Sequence, residues 1–103
     1  MRQFDLYRNP DPPSARRRPY LIVLQSDLLE VMETVVVAPL ARAKTTMPIK
    51  RLTPAVEIGG HEYLVLVHEM AAIPRQELRK RVESAASLRE ALTAALDLVF
   101  FGF

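Results

Sequence analysis

The sequence contains no cysteine and no tryptophan, and glycine occurs only three times in 103 residues. The absence of cysteine excludes a disulfide framework and thiol chemistry, which fits a reducing compartment. No glycine-rich phosphate-binding loop is present. No apolar run approaches the roughly 20 residues that cross a bilayer, and the N-terminus lacks the apolar region of a signal peptide. These absences predict a cytoplasmic protein without a membrane anchor.

Side chains arranged for catalysis or metal binding are also missing. The serines occur in no nucleophile elbow. His61 and His68 are each followed by a glutamate, but they are seven residues apart. An odd separation along one strand places two side chains on opposite faces. We therefore predict no metal, no cofactor and no enzymatic activity.

Short β-branched and apolar runs predict a mostly β, α+β fold, and the length predicts a single domain over residues 1–103. The run Tyr20–Leu24 has no polar break, which is typical of a strand buried on both faces. Two apolar runs flank Gly59-Gly60 and predict a β-hairpin. Further predictions are a strand over Phe4–Tyr7, a loop over Asn9–Ser14, a strand over Thr34–Ala38 that Pro39 closes or marks as an edge, a loop with frayed strand ends over Arg42–Arg51, a short apolar run over Met70–Ile73 that Pro74 stops, and one short turn or an irregular helix within Arg75–Glu83.

The C-terminal segment predicts the one long helix, from Ser87 to about Phe101. Ser87 and Glu90 match a capping box, and Leu88, Leu92, Ala95 and Val99 form a stripe at helical spacing. Gly102 suits the left-handed position that ends a helix.

The chain then ends in an aromatic tail, because three of its four phenylalanines are Phe100, Phe101 and Phe103. Spacing alone leaves two interpretations open. In one, Phe103 folds back onto Leu98 and the aromatic rings are core. In the other, the end is presented to a partner.

Basic residues occur in four clusters, although the formal net charge is only +2. Acidic residues lie close by in sequence, and aromatic residues are not interleaved as in a base-stacking platform. Solvated faces are therefore the favoured interpretation, and a small nucleic-acid-binding barrel is the alternative. The clusters are Arg16–Arg18, Arg42 with Lys44, Lys50 with Arg51, and Arg79–Arg81.

Several short motifs, in their order and spacing, resemble the CcdB family, the toxin half of a bacterial toxin–antitoxin pair that poisons DNA gyrase. The similarity runs nearly end to end, and each motif is weak alone. The motifs are Gln3-Phe4-x-x-Tyr7, Gln25-Ser26-Asp27, Pro39-Leu40, Ile58-Gly59, Met70-Ala71-x-x-Pro74 and Leu98-x-Phe100-x-Gly102 followed by an apolar residue.

The resemblance implies a small twisted antiparallel sheet of the Src-homology-3-like barrel type, with an extra small sheet and a C-terminal helix. It also implies a homodimer that binds the gyrase A subunit and traps the cleaved gyrase–DNA complex. A cognate antitoxin would neutralise the toxin, and the complex would repress its own operon, touching DNA only through the antitoxin. Such systems serve plasmid maintenance. A degenerate homologue that keeps only antitoxin binding is a further alternative.

Carried over by position, the resemblance implies a gyrase-binding surface in three parts. The family's best-known toxin has Trp, Ile and Asn where this chain has Phe101, Phe103 and Asp97. With the resemblance, we expect Phe100 to anchor the helix inward and Phe101–Phe103 to face the partner. The implied gyrase-binding residues are Phe101, Gly102, Phe103 and Asp97; Ser26, Leu28 and Leu29; and Gln3, Phe4 and Tyr7.

Overall fold

The computed structural model describes residues 1–103, which form one curled antiparallel sheet and a C-terminal helix. The mostly β, α+β class is confirmed. The extra small sheet is not separate, because all seven strands belong to a single sheet. The elements are β1 (Asp5–Arg8), α1 (Pro12–Ala15), β2 (Tyr20–Val23), β3 (Thr34–Arg42), β4 (Ala55–Ile58), β5 (His61–Val65), β6 (Ala71–Pro74), β7 (Arg81–Ser84) and α2 (Arg89–Phe101).

The long strand β3 organises the sheet. The strand order is β4-β5-β3-β2-β1-β7, and β6 pairs with the first half of β3 while β5 pairs with the second half. Pro39 neither closes β3 nor marks an edge strand, because β3 continues to Arg42 and has paired neighbours on both sides. The Pro39 carbonyl accepts from the Leu66 N–H, so the proline nitrogen, which has no hydrogen, points to the same side. On that side, β3 pairs with β6 up to Val37 and with β5 from Leu40 onwards. Because Pro39 lies between the two pairings, its missing N–H costs the sheet no hydrogen bond.

The core lies on both faces of the sheet, and β2 contributes to both, as predicted. Ile22 and Leu24 belong to the larger hydrophobic cluster, whereas Leu21 and Val23 belong to a second cluster on the other face. The helix α2 covers the larger cluster with Leu92 and Ala95, both fully buried.

The predicted hairpin is confirmed. Gly59 and Gly60 have φ values of 59° and 82°, and Ile58 pairs with His61. Both central residues thus occupy the left-handed region that a two-residue primed turn requires. The same hairpin places His61 in β5, but His68 lies in a 3-10 turn over Val67–Glu69, so the two histidines do not share a strand.

Near the C-terminus, one local prediction is wrong and another is confirmed only in part. No side chain caps α2, whose N-cap is Leu88 after a 3-10 turn over Ala86–Leu88, so the Ser87–Glu90 capping box does not form. The short turn predicted after Pro74 is present as a 3-10 turn over Arg75–Glu77, but the segment then forms β7, which pairs with β1. Its charged composition favours a helix locally, but the open edge of β1 offers backbone partners. Likewise, the predicted loop over Asn9–Ser14 contains the start of the short α1. None of the helices is both long and apolar enough to cross a membrane.

Candidate functional site

The last turn of α2 and the residues after it expose a run of aromatic side chains. Phe100, Phe101 and Phe103 are 63%, 68% and 76% exposed. The expectation that Phe100 anchors the helix inward is therefore wrong. The fully buried residues of α2 are Leu92 and Ala95, so the last turn extends beyond the part of the helix that covers the core.

Gly102 ends α2 in the predicted left-handed conformation, with φ 79° and ψ 11°. Its N–H donates to the Leu98 carbonyl at 3.0 Å. A Cβ at this position would meet no atom within 4 Å, so the glycine is required by the backbone angle and not by crowding within the chain.

Phe103 is turned by this cap towards Phe101. The two ring centroids are 6.5 Å apart and the rings are tilted by 38°. The interpretation in which the tail is buried core is excluded, because both rings remain mostly exposed. Asp97, one turn earlier, is also exposed. We call Phe100–Phe103 the aromatic end.

A second exposed apolar surface follows β2. Ser26 accepts from the Leu28 N–H at 3.1 Å and starts a 3-10 turn over Asp27–Leu29. Leu28 is 90% exposed and Val31 is 84% exposed, with Leu29 and Met32 about half exposed. We call Leu28–Met32 the apolar turn. Sequence reasoning selected Leu28 and Leu29 but missed Val31 and Met32, whose signal was an apolar run without strand or helix period.

Arg75 donates hydrogen bonds to the backbone of the apolar turn. Its guanidinium donates to the Met32 carbonyl at 2.9 Å and to the Leu29 carbonyl at 3.2 Å, and lies 3.0 Å from the Met1 sulfur. On the other side, the Asp27 carboxylate accepts from the Gln3 N–H at 2.7 Å and pairs with Arg2 at 3.3 Å. The turn is thus an apolar surface held by polar contacts.

The third predicted part of the surface is corrected by burial. Phe4 and Tyr7 are only 2% and 5% exposed, so neither ring is available to a partner. Phe4 has a φ of 69° and lies beneath the Arg89 guanidinium, 5.0 Å from the ring centroid. Gln3 is half-buried and donates to the Leu24 carbonyl at 3.0 Å. Gln3 therefore supports the apolar turn through Asp27, Phe4 supports the start of α2 through Arg89, and Tyr7 belongs to the second core cluster.

The tyrosine buried in β1 has a shifted acidity. Burial raises the pKa of the Tyr7 hydroxyl, and the nearby Asp5 carboxylate adds to the rise, while Arg81 and Arg75 oppose it. The chain brings no three His, Asp or Glu side chains together as a metal site.

Comparison with known structures places the fold among bacterial toxins. One structure, described as an Mtb toxin, is 24% identical, with 81% of this chain and 92% of that chain covered and a TM-score of 0.67. The Mycobacterium tuberculosis toxin MazF-mt6 is 19% identical over 96% of each chain, with a TM-score of 0.71. A mycobacterial endoribonuclease in complex with its cognate antitoxin is 14% identical, covering 96% and 93%, with a TM-score of 0.70. At these identities the likeness concerns the fold.

The fold is therefore one that toxins of toxin–antitoxin systems adopt. The family model described as CcdB protein matches residues 3–102. The chain belongs to the CcdB family, which confirms the resemblance found in the sequence. A search of curated protein sequences found no significant match.

Proposed function

We propose that this toxin acts by binding the DNA gyrase A subunit and trapping the cleaved gyrase–DNA complex. The observation that carries the proposal is the aromatic end, where Phe100 and Phe101 project from the last turn of α2 and Phe103 follows the Gly102 cap, all three mostly exposed. A folded chain gains nothing by exposing such a surface, whereas a partner that covers it gains the burial energy.

The aromatic end has the properties of a binding hot spot. Each phenylalanine contributes about 1.5–3 kcal/mol when fully buried. The packing of Phe103 against Phe101 reduces the conformational freedom lost on binding. Gly102 presents no Cβ, so a partner backbone can approach the chain at that point.

The apolar turn is the second contact that we propose. Leu28 and Leu29 lie on it and Ser26 sets its start, so all three predicted residues belong to one local surface. Polar contacts hold the turn while its apolar side chains face solvent. A surface that is already ordered binds a partner with a smaller entropic penalty than a mobile loop.

The assembly that we propose is a two-fold homodimer, which would offer two aromatic ends to a two-fold target. A cognate antitoxin would neutralise the toxin and provide the DNA-binding half of a repressor complex. Support for the antitoxin comes from the family membership and from the structural neighbour described as being in complex with its cognate antitoxin. Action by binding alone, without enzymatic activity, is part of the same proposal.

The deciding experiment removes the aromatic end in two ways. A chain ending at Phe101 and a Phe101→Ala/Phe103→Ala variant should fold normally but lose growth inhibition and gyrase-dependent DNA breaks. The matched control is Met47→Ala/Ile49→Ala, which removes two other exposed apolar side chains, 82% and 46% exposed, and should remain active. A truncated protein that still inhibits growth through gyrase would overturn the proposal. Antitoxin binding without gyrase binding by the unaltered chain would instead indicate the degenerate homologue.

The structural neighbours supply a test of mechanism, because one of them is described as an endoribonuclease. Purified protein incubated with total RNA should leave the RNA intact, while gyrase supplied with plasmid DNA should accumulate double-strand breaks. An RNA-cleaving activity that copurifies with the protein would contradict the proposal that it acts by binding alone.

A further inference from the structure

A cluster of arginines and tyrosines lies at one end of the sheet, far along the strands from the apolar turn. Register places its members side by side: Arg8 pairs with Tyr20, and Arg42 pairs with Tyr63. Leu40, two residues before Arg42, pairs with Tyr20 and belongs to the same core cluster as both tyrosines. Because side chains alternate with a period of two, Arg8 and Arg42 project from that same face.

The tyrosines form the base of this arginine–tyrosine cluster. Their ring centroids are 5.1 Å apart and the rings are nearly perpendicular, at 86°. The Arg8 guanidinium lies over the Tyr20 ring, 5.9 Å from its centroid. Burial raises the pKa of the Tyr63 hydroxyl and Tyr20 adds to the rise, whereas the positive charges of Arg42 and Arg8 oppose it. Both guanidiniums therefore act electrostatically on the same hydroxyl.

The positive charge of the cluster is not neutralised within the chain. The ion pairs of the structure join Arg2 with Asp27, Arg18 with Glu69 and Arg81 with Asp5. Neither Arg8 nor Arg42 takes part in one, and both side chains are exposed. A partner that carries negative charge would meet two guanidiniums that form no ion pair within the chain.

Further basic residues lie near the cluster. Arg42 donates to the Arg16 carbonyl at 2.9 Å, which brings the Arg16–Arg18 segment alongside. Lys44 and His61 line an open cleft of about 750 Å³ next to Arg42 and Tyr63, in which Glu62 is the one acidic side chain. Residues from β1, β3 and the loop after α1, far apart in sequence, thus converge on one basic surface.

We infer that the arginine–tyrosine cluster binds the phosphodiester backbone of a single-stranded nucleic acid. The planar guanidinium donates two parallel hydrogen bonds to phosphate oxygens, and the half-exposed Tyr20 ring lies beneath the Arg8 guanidinium. The cluster spans β1, β2, β3 and β5, about 14 Å at the usual strand spacing. That width suits a few nucleotides of one strand but is shorter than a duplex turn of about 34 Å. This site is independent of gyrase binding.

Fluorescence anisotropy with a labelled oligonucleotide of about 15 nucleotides tests the inference. RNA and DNA of the same sequence are titrated with the full chain between about 50 and 200 mM salt. We expect binding that weakens with salt. Arg8→Gln/Arg42→Gln should weaken it at least about tenfold and reduce the slope of log affinity against log salt by about 1.4, since each phosphate contact on a single strand contributes about 0.7. Equal binding of RNA and DNA assigns the backbone as the ligand, and preference for RNA adds its 2′-hydroxyl as a contact.

The matched control is Lys50→Gln/Arg51→Gln, which removes the same charge from the loop beside α2 and should stay within about twofold of the unaltered protein. Circular dichroism checks the fold of each variant. If loss of the Arg42–Arg16 bond unfolds the double variant, the single variant Arg8→Gln decides, because the Arg8 side chain makes no hydrogen bond within the chain. In Arg8→Gln, the slope of log affinity against log salt should fall by about 0.7. Absence of binding at the lowest salt, or equal weakening by both double variants, would overturn the inference.

Discussion

Arg81 reaches from β7 to the buried Asp5 of β1 and donates to both of its carboxylate oxygens, from Nε at 3.0 Å and from Nη2 at 3.2 Å. Asp5 is 2% exposed and also accepts from the Arg2 N–H at 3.0 Å. One carboxylate therefore joins the N-terminal segment, the first strand and the last strand. The Arg81 guanidinium has its pKa raised by the same hydrogen bonds.

Replacing this carboxylate tests its role in joining the two strands. Asp5→Asn keeps the size of the side chain but leaves a buried amide that cannot accept both arginine donors, so we expect the melting temperature to fall by at least about 5 °C. Glu83→Gln, an exposed change two residues from Arg81, is the control and should shift it little. An unchanged melting temperature in Asp5→Asn would show that the Asp5–Arg81 ion pair does not contribute to stability.

Two buried tyrosines predict a loss of stability at alkaline pH. The pKa values of Tyr7 and Tyr63 are both raised from 10.0 in the folded chain, so the unfolded chain releases these protons first. The contribution of these two tyrosines to the free energy of unfolding is complete below pH 10, and it is lost as the pH rises through their pKa values in the folded chain. Denaturant unfolding between about pH 8 and 11 should show a smaller decline in Tyr7→Phe/Tyr63→Phe than in the unaltered protein. If stability declines equally in both proteins, these tyrosines are not the source of the alkaline loss of stability.

Gly102 and Gly60 form a matched pair for testing the aromatic end. Both have positive φ, 79° and 82°, and a Cβ at either would meet nothing within 4 Å. Alanine at either position adds about 1–2 kcal/mol of backbone strain. Only Gly102→Ala should reorient Phe103 and weaken gyrase binding, as measured by surface plasmon resonance. Equal effects of Gly102→Ala and Gly60→Ala on gyrase binding would assign the loss to stability alone.

Arg75 is expected to position the apolar turn for gyrase. Arg75→Gln removes the bonds to the Leu29 and Met32 carbonyls, so amide hydrogen exchange should accelerate in the apolar turn while the rest of the sheet is unchanged. Gyrase binding should weaken in proportion. Arg79→Gln, from an exposed arginine whose Nε bonds only the nearby Gln76 carbonyl at 3.4 Å, should change neither measurement. Faster exchange with intact gyrase affinity would remove the turn from the contact surface.

Local chemistry was sufficient to predict several elements. The Gly59-Gly60 turn follows from the need for positive φ at both positions. The unbroken apolar run of β2 required cover on both sides, which the two clusters provide. Gly102 and the aromatic end followed from residue type and position. In each case a few neighbouring residues contain the physical cause.

Other elements depend on partners that are distant in sequence. The charged segment containing Arg81 becomes a strand because β1 offers an open edge and Asp5 accepts its guanidinium. Phe4 and Tyr7 match the family motif, yet packing buries them.

The sequence by itself determined the family, the hairpin, the central strand that is buried on both faces, and the apolar C-terminal end. These features depend on residue order and local backbone preference. Only the tertiary structure decided that Phe100 is exposed, that β3 runs through Pro39, and that Arg8 and Arg42 meet beside Tyr63. Those outcomes depend on strand register and on where a helix leaves the core. Both are set by the balance of all long-range contacts together.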